Sequence, residues 1–212
     1  MFRSIFRPYG LVWTVLNTIT DVVGLTLCWL LCCLPIVTVF PATAALYDAV
    51  VHGIRYREEG PYKRFFRTFR AEWKSGILST LLWGAVLGFF GYLLAVLLTM
   101  ARQDSGFSLY AGIYLAGMLL PIGAACWSAA VISRFTFSFL ALTGTAVRFV
   151  IAHFSRSLGI AACTVALAVF TWNYPIWIFA APACLMLLWS VFAEPVFAKY
   201  GAAITPVTPD ED

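Results

Sequence analysis

Asp21 is the side chain best placed for chemistry, because it lies within an apolar run that extends from Leu11 to Val51. An ionisable group inside a membrane crossing is costly to keep there, so it is a functional candidate by default. Asn17, Asp21, Gly24, Cys28 and Cys32 follow one another at helical spacing and share one face. Two chemistries stay open for Asp21: it binds a cation or carries protons, or its carboxyl satisfies Asn17, Thr18 or a neighbouring helix. The packing role is the expectation. Pro35, Thr38 and Pro41 complete a candidate intramembrane polar site with Asn17 and Asp21. The two prolines interrupt the run and force irregular backbone where only protein or a wet cavity supplies hydrogen bonds. Asp48 and His52, four residues apart, form a second pair able to interact on a helix.

Little else carries chemistry. There is no HExxH, GxSxG or phosphate-binding loop, and the histidines are His52 and His153. The six cysteines sit inside apolar runs with no histidine beside them, which suits small packing residues rather than zinc or disulfides. No catalytic residue, cofactor or metal is therefore expected.

The elements that position these residues follow from composition. With 62% hydrophobic and 11% charged residues and a mean hydropathy of +0.88, the 212-residue chain belongs in a lipid bilayer. The expected fold is an all-α polytopic membrane bundle, with about six transmembrane helices and one or two cytoplasmic interfacial amphipathic helices. A single domain spans residues 1–200. It comprises a broken hairpin at 11–54, a basic amphipathic segment at 55–74, and crossings at about 76–100, 107–133, 158–172 and 176–192. Pro121 predicts a kink in the fourth crossing. Residues 134–156 read as interfacial, since the apolar stretch there is too short to span. Residues 201–212 form an acidic tail expected to be disordered.

Charge supports an orientation. Every Lys and Arg except Arg102 falls on one side of a six-crossing arrangement, predicting a plasma-membrane protein with cytoplasmic N- and C-termini. The same distribution argues against nucleic acid as a partner. From Pro61 on, Lys63, Arg64, Phe65, Phe66, Arg67, Phe69 and Arg70 form a basic, aromatic helix suited to a partner or lipid surface. In the third crossing, Gly76, Gly84, Gly88 and Gly91 form a small-residue seam expected to pack within the bundle, with a homo-oligomer as the other use.

The order Asn17, Trp29, Leu34, Pro35, Thr38, Pro41, Ala42, Ala45, Leu46, Tyr47, then Glu58, Glu59, Phe65, Phe66 and Phe69, resembles the YesL-like family. These are bacterial membrane proteins grouped under a domain of unknown function. Phe40 departs from the glycine that members tend to carry before the second proline. The family often occurs near carbohydrate ABC-transporter genes, so the resemblance implies an accessory role in sugar uptake with ABC-type transporter subunits as partners. It supplies no catalytic residues. Together these observations predict a non-enzymatic accessory or scaffold protein. The alternative is a small transporter or channel using Asp21 and the proline-broken hairpin.

Overall fold

The computed structural model describes residues 11–103, 106–135 and 139–200. The expected tail at 201–212 lies outside them. The described residues are helical throughout: α1 (Leu11–Cys32), α2 (Val39–Val50), α3 (Pro61–Ala71), α4 (Trp73–Gln103), α5 (Phe107–Gly117), α6 (Leu119–Ile132), α7 (Phe139–Ala152), α8 (Phe154–Asn173) and α9 (Ala181–Lys199). Five stretches are long and apolar enough to cross a membrane: Ile36–Arg55, Trp73–Gln103, Phe107–Ile132, Phe154–Asn173 and Ala181–Lys199. The protein is therefore a multi-pass membrane bundle.

Breaks fall where backbone chemistry demands them. After α1 the chain turns through Pro35 and a single 3₁₀ turn, Ile36–Thr38, before α2 begins. The buried Thr38 hydroxyl caps this turn, lying 2.5 Å from the Cys32 carbonyl and 2.6 Å from that of Pro35. Pro41 occupies the first turn of α2, where a missing N–H costs nothing. Pro121 has no N–H for the Gly117 carbonyl, and the helix breaks at Met118 between α5 and α6. Gly60, at φ +74°, supplies a left-handed turn that glycine adopts without strain, and Pro61 then opens α3.

Two boundaries differ from expectation. Helix α8 starts before the stretch 158–172, taking in Arg156, whereas α9 is shifted along from 176–192: Pro175–Phe179 forms a 3₁₀ turn, and the helix runs from Ala181 to Lys199. Helix α7 is no bare surface helix: Leu142, Ala146, Phe149 and Val150 are buried where it packs on α6 and α8.

In lipid, apolar faces give helices little reason to associate, so packing and interhelical hydrogen bonds hold the bundle. Four tryptophans repeat one device. The indole N–H of Trp29 donates to Thr43, that of Trp83 to Ser128, that of Trp127 to Ser157 and that of Trp189 to Thr164, over 2.8–3.2 Å. Each accepting hydroxyl donates its own proton to a carbonyl four residues earlier on its helix. The hydroxyl thus presents a lone pair to the neighbouring helix, and the large indole closes the gap. These bonds pin α1 to α2, α4 to α6, α6 to α8 and α8 to α9.

Candidate functional site: a buried ion-pair network

Helix α2 continues past Val50 as a π-helical turn, Val51–Arg55, a feature often found at functional sites because it re-aims side chains. Here it places Asp48, His52 and Arg55 at the end of the bundle where α3 folds back. Asp48 is 3% exposed and His52 4%.

Asp48 is fully engaged. Its Oδ2 accepts from Arg64 Nε at 3.1 Å and from the Thr68 hydroxyl at 2.6 Å, while Oδ1 lies 3.0 Å from His52 Nδ1. On the other side of the imidazole, Nε2 faces Arg64 Nη2 at 2.7 Å and Arg134 Nη1 at 3.1 Å. Guanidinium groups only donate, so Nε2 must offer its lone pair and the ring hydrogen belongs on Nδ1, donated towards Asp48. His52 thus lies between a carboxylate and two guanidinium groups, with Glu58 Oε1 4.0 Å from its Nε2. Arg64 also binds Glu58 through Nη1 at 2.7 Å.

A second knot joins the first through Arg134. Its Nη2 donates to Glu194 Oε1 at 2.7 Å, and the Tyr47 hydroxyl donates to the same oxygen at 2.9 Å. The Arg134 guanidinium lies 5.9 Å from the centre of the Tyr47 ring. Arg55 Nη1 donates to Ser190 Oγ at 2.7 Å, tying the π turn to α9. Three carboxylates (Asp48, Glu58, Glu194) and three guanidinium groups (Arg55, Arg64, Arg134) thus balance, and the network links α2, α3, α6 and α9. The guanidinium groups fill the space in front of His52 Nε2 that a metal ion would need. Among the described residues no three His, Cys, Asp or Glu side chains form a metal-binding group.

The expected site residues are distributed as follows. Asp21 does not meet the proline-broken hairpin. It lies beside Tyr62 of α3 and shares a hydrogen bond with its hydroxyl, and burial together with the Asp21 carboxylate pushes that phenol above its ordinary pKa. Thr38, hydrogen-bonded to Cys32, is about 16 Å further along α1 than Asp21 at the helical rise per residue. Asn17 is on an exposed face of α1, Pro35 is exposed at the turn, and Pro41 is buried. Gly24 of the same α1 seam meets the Tyr62 hydroxyl so closely that a side chain there would displace it.

Helix α3 divides its residues between two faces. Phe65 is fully buried and Arg64 turns into the network, with Phe69 packed against the core. Lys63, Phe66, Arg67 and Arg70 face outwards. In α4 only the first seam glycine makes a close approach: a Cβ at Gly76 would come within 2.6 Å of Pro41. Gly84 and Gly88 have no atom within 4 Å of such a position, and Gly91 meets only the tip of Met118. The spacing is right for a seam, but among the described residues no helix covers its middle.

Tyr47, Thr68, Arg134, Ser190 and Glu194 join the site without having been expected in it. Glu194 carries a signal, being an acidic residue in the last long apolar stretch, and Arg134 one only as a charge at a helix end.

Residues 22–96 match a family model described as "Protein of unknown function, DUF624". No curated protein matches, and no solved structure does. The DUF624 match runs from α1 into α4. It includes Asp48, His52, Glu58, Arg64 and Thr68, but not Arg134, Ser190 or Glu194.

Proposed function

We propose that this membrane protein is a non-enzymatic accessory component that docks on a partner through the outward face of α3, the partner being an ABC-type carbohydrate uptake transporter. It has six crossings, α1 being the sixth, with both termini cytoplasmic. One observation carries the reading. Arg64 and Phe65 anchor the inner face of α3, so Lys63, Phe66, Arg67 and Arg70 are held as a fixed basic and aromatic surface. A groove beside them is lined by Phe66, Phe69, Arg70, Trp73 and Lys74. Exposed aromatics with cations are the composition of binding hot spots, and a preorganised helix loses less entropy on docking. The transporter assignment comes from the YesL-like resemblance.

The test is co-purification from native membranes with a cross-linker at position 66. Transporter subunits should be captured by the parent chain and lost from the Lys63→Glu, Arg67→Glu, Arg70→Glu variant. Equal capture by both, or capture of no transporter subunit, sinks the reading.

Transport by the chain itself is the second reading, favoured by His52 lying buried between Asp48 and two arginines, as ionisable groups of proton relays do. Solute uptake by proteoliposomes holding this protein alone, lost in His52→Gln, supports it. No uptake excludes it.

A further inference from the structure

Beyond the α3 surface, the opposite end of the bundle holds an empty space that the docking role does not use. Five helices, α1, α2, α6, α8 and α9, line a partly open cavity of about 860 Å³. This lies in the range of pockets that enclose small-molecule ligands, about 300–1,000 Å³. Its inner end lies about one turn short of the ion-pair network: Thr43 precedes Tyr47 on α2, Ala129 of α6 precedes Arg134 just past the end of that helix, and Trp189 precedes Glu194 on α9. Its outer end opens beside Trp172 and Ile178, at the connection between α8 and α9.

The lining decides the class of occupant. The wall is almost wholly carbon, and its polar groups are already engaged with one another. Thr43 accepts from Trp29 and donates to Val39, and Thr164 accepts from Trp189 and donates to Ile160. Thr171 donates to Leu167 within its own helix. No lining hydroxyl is left aimed into the space, so water would find few of the partners it needs there. The cavity walls run from Thr164 to Trp172 on α8 and from Ala181 to Trp189 on α9. Either length corresponds to about 12 Å at the helical rise, against about 15 Å for the hydrocarbon of one leaflet. At the mouth, Trp172, Tyr174 and Trp177 are exposed, the residue types that settle at the headgroup level.

We propose that this cavity binds one acyl chain of a membrane phospholipid, drawn in lengthwise from the leaflet at the α8–α9 connection, with the headgroup held outside among Trp172, Tyr174 and Trp177.

Native mass spectrometry of the full chain, purified in detergent and washed until annular lipid is gone, tests this. One phospholipid per chain should remain. Ala168→Phe and Ala129→Phe, which put a ring into the cavity, should each lower its occupancy at least tenfold while the melting temperature holds or rises. A parent protein that retains no lipid, a retained molecule that is a free fatty acid or detergent, or equal retention in the folded variants overturns the proposal. Should both variants fail to fold, the parent protein reconstituted with mid-chain-brominated phosphatidylcholine gives the answer. Trp189 lines the cavity, whereas Trp127 is fully buried and does not. Trp189→Phe should remove a quenched component of the fluorescence that Trp127→Phe leaves in place. An identical effect of the two substitutions overturns the proposal.

Discussion

Helices α2, α6 and α9 build two quite different ends. At one end they contribute Tyr47, Asp48, Arg134 and Glu194, each charge or hydroxyl matched to a partner within hydrogen-bonding distance. About one turn away the same helices contribute Thr43, Ala129 and Trp189 to the wall of an open apolar cavity. The charged end admits only one register of the helices, because a slip of one residue would leave a buried ion unpaired. The apolar end is indifferent to such detail and keeps space. Specific geometry at the first end is what holds the second end apart.

Removing an ion should therefore do most damage. Arg134→Ala leaves Glu194 without its cation and His52 Nε2 with Arg64 alone, and breaking a buried pair this way typically costs about 3–5 kcal/mol. The melting temperature in detergent should fall further than it does for Gly76→Leu or Trp83→Phe. Arg134→Met with Glu194→Gln, which removes both charges, should recover at least half the loss. A neutral Arg134→Ala would mean that the two ends do not differ in the way described.

Close packing comes next. Gly76→Leu drives carbon into Pro41 and should cost about 1–3 kcal/mol, the usual range for overpacking. At Gly84 an added Cβ has no described atom within 4 Å, so Gly84→Leu should leave the melting temperature unchanged. Equal losses for the two would show that the middle of the seam is covered after all, by a second copy if the loss depends on protein concentration.

The indole bonds rank third. Trp83→Phe keeps most of the apolar contact but gives up the bond to Ser128, worth about 0.6–2 kcal/mol inside a membrane. A double-mutant cycle with Ser128→Ala measures the coupling, and a value of zero would leave shape alone holding α4 to α6.

His153 should give the smallest effect. Burial and the neighbouring Arg156 and Lys199 hold its imidazole below its ordinary pKa. The unfolded chain then binds the proton more readily than the folded one. Stability is complete above about pH 6.5, the unperturbed value, and erodes as pH falls through it towards the lower folded pKa. His153→Gln should flatten melting temperature against pH in that window. An unchanged slope would assign the acid sensitivity to other groups.

How much of this was legible depends on whether a feature is local. The all-helical membrane fold, the break at Pro121 and the inward and outward faces of α3 follow from composition and from patterns that repeat within a few residues. Asp48 and His52 are visible as a pair for the same reason. Arg134 and Glu194 are 60 residues apart, and Tyr47 and Glu194 are 147 apart. No periodicity reports such contacts, and each residue alone looks like an ordinary helix-end charge or core aromatic. Asp21 misleads because its depth is judged from its position in an apolar run. The folding back of α3 brings Tyr62 to it and sets it at the level of the charged end. The glycine seam misleads differently: spacing establishes that a groove exists, not that anything fills it.

The length of α4 has a consequence for the bilayer itself. Thirty-one residues extend about 46 Å, and Lys74 and Arg102 lie near its two ends. A bilayer is about 40–45 Å thick including its headgroups, so α4 standing nearly upright puts one cation into each polar layer. In a thinner membrane the mismatch must be relieved by tilting, and α4 is free to tilt because few of its residues are buried inside the bundle. It is held near one end, where Gly76 meets Pro41 and Trp83 meets Ser128, so tilting would carry the far end, against which α5 packs, further than the near one.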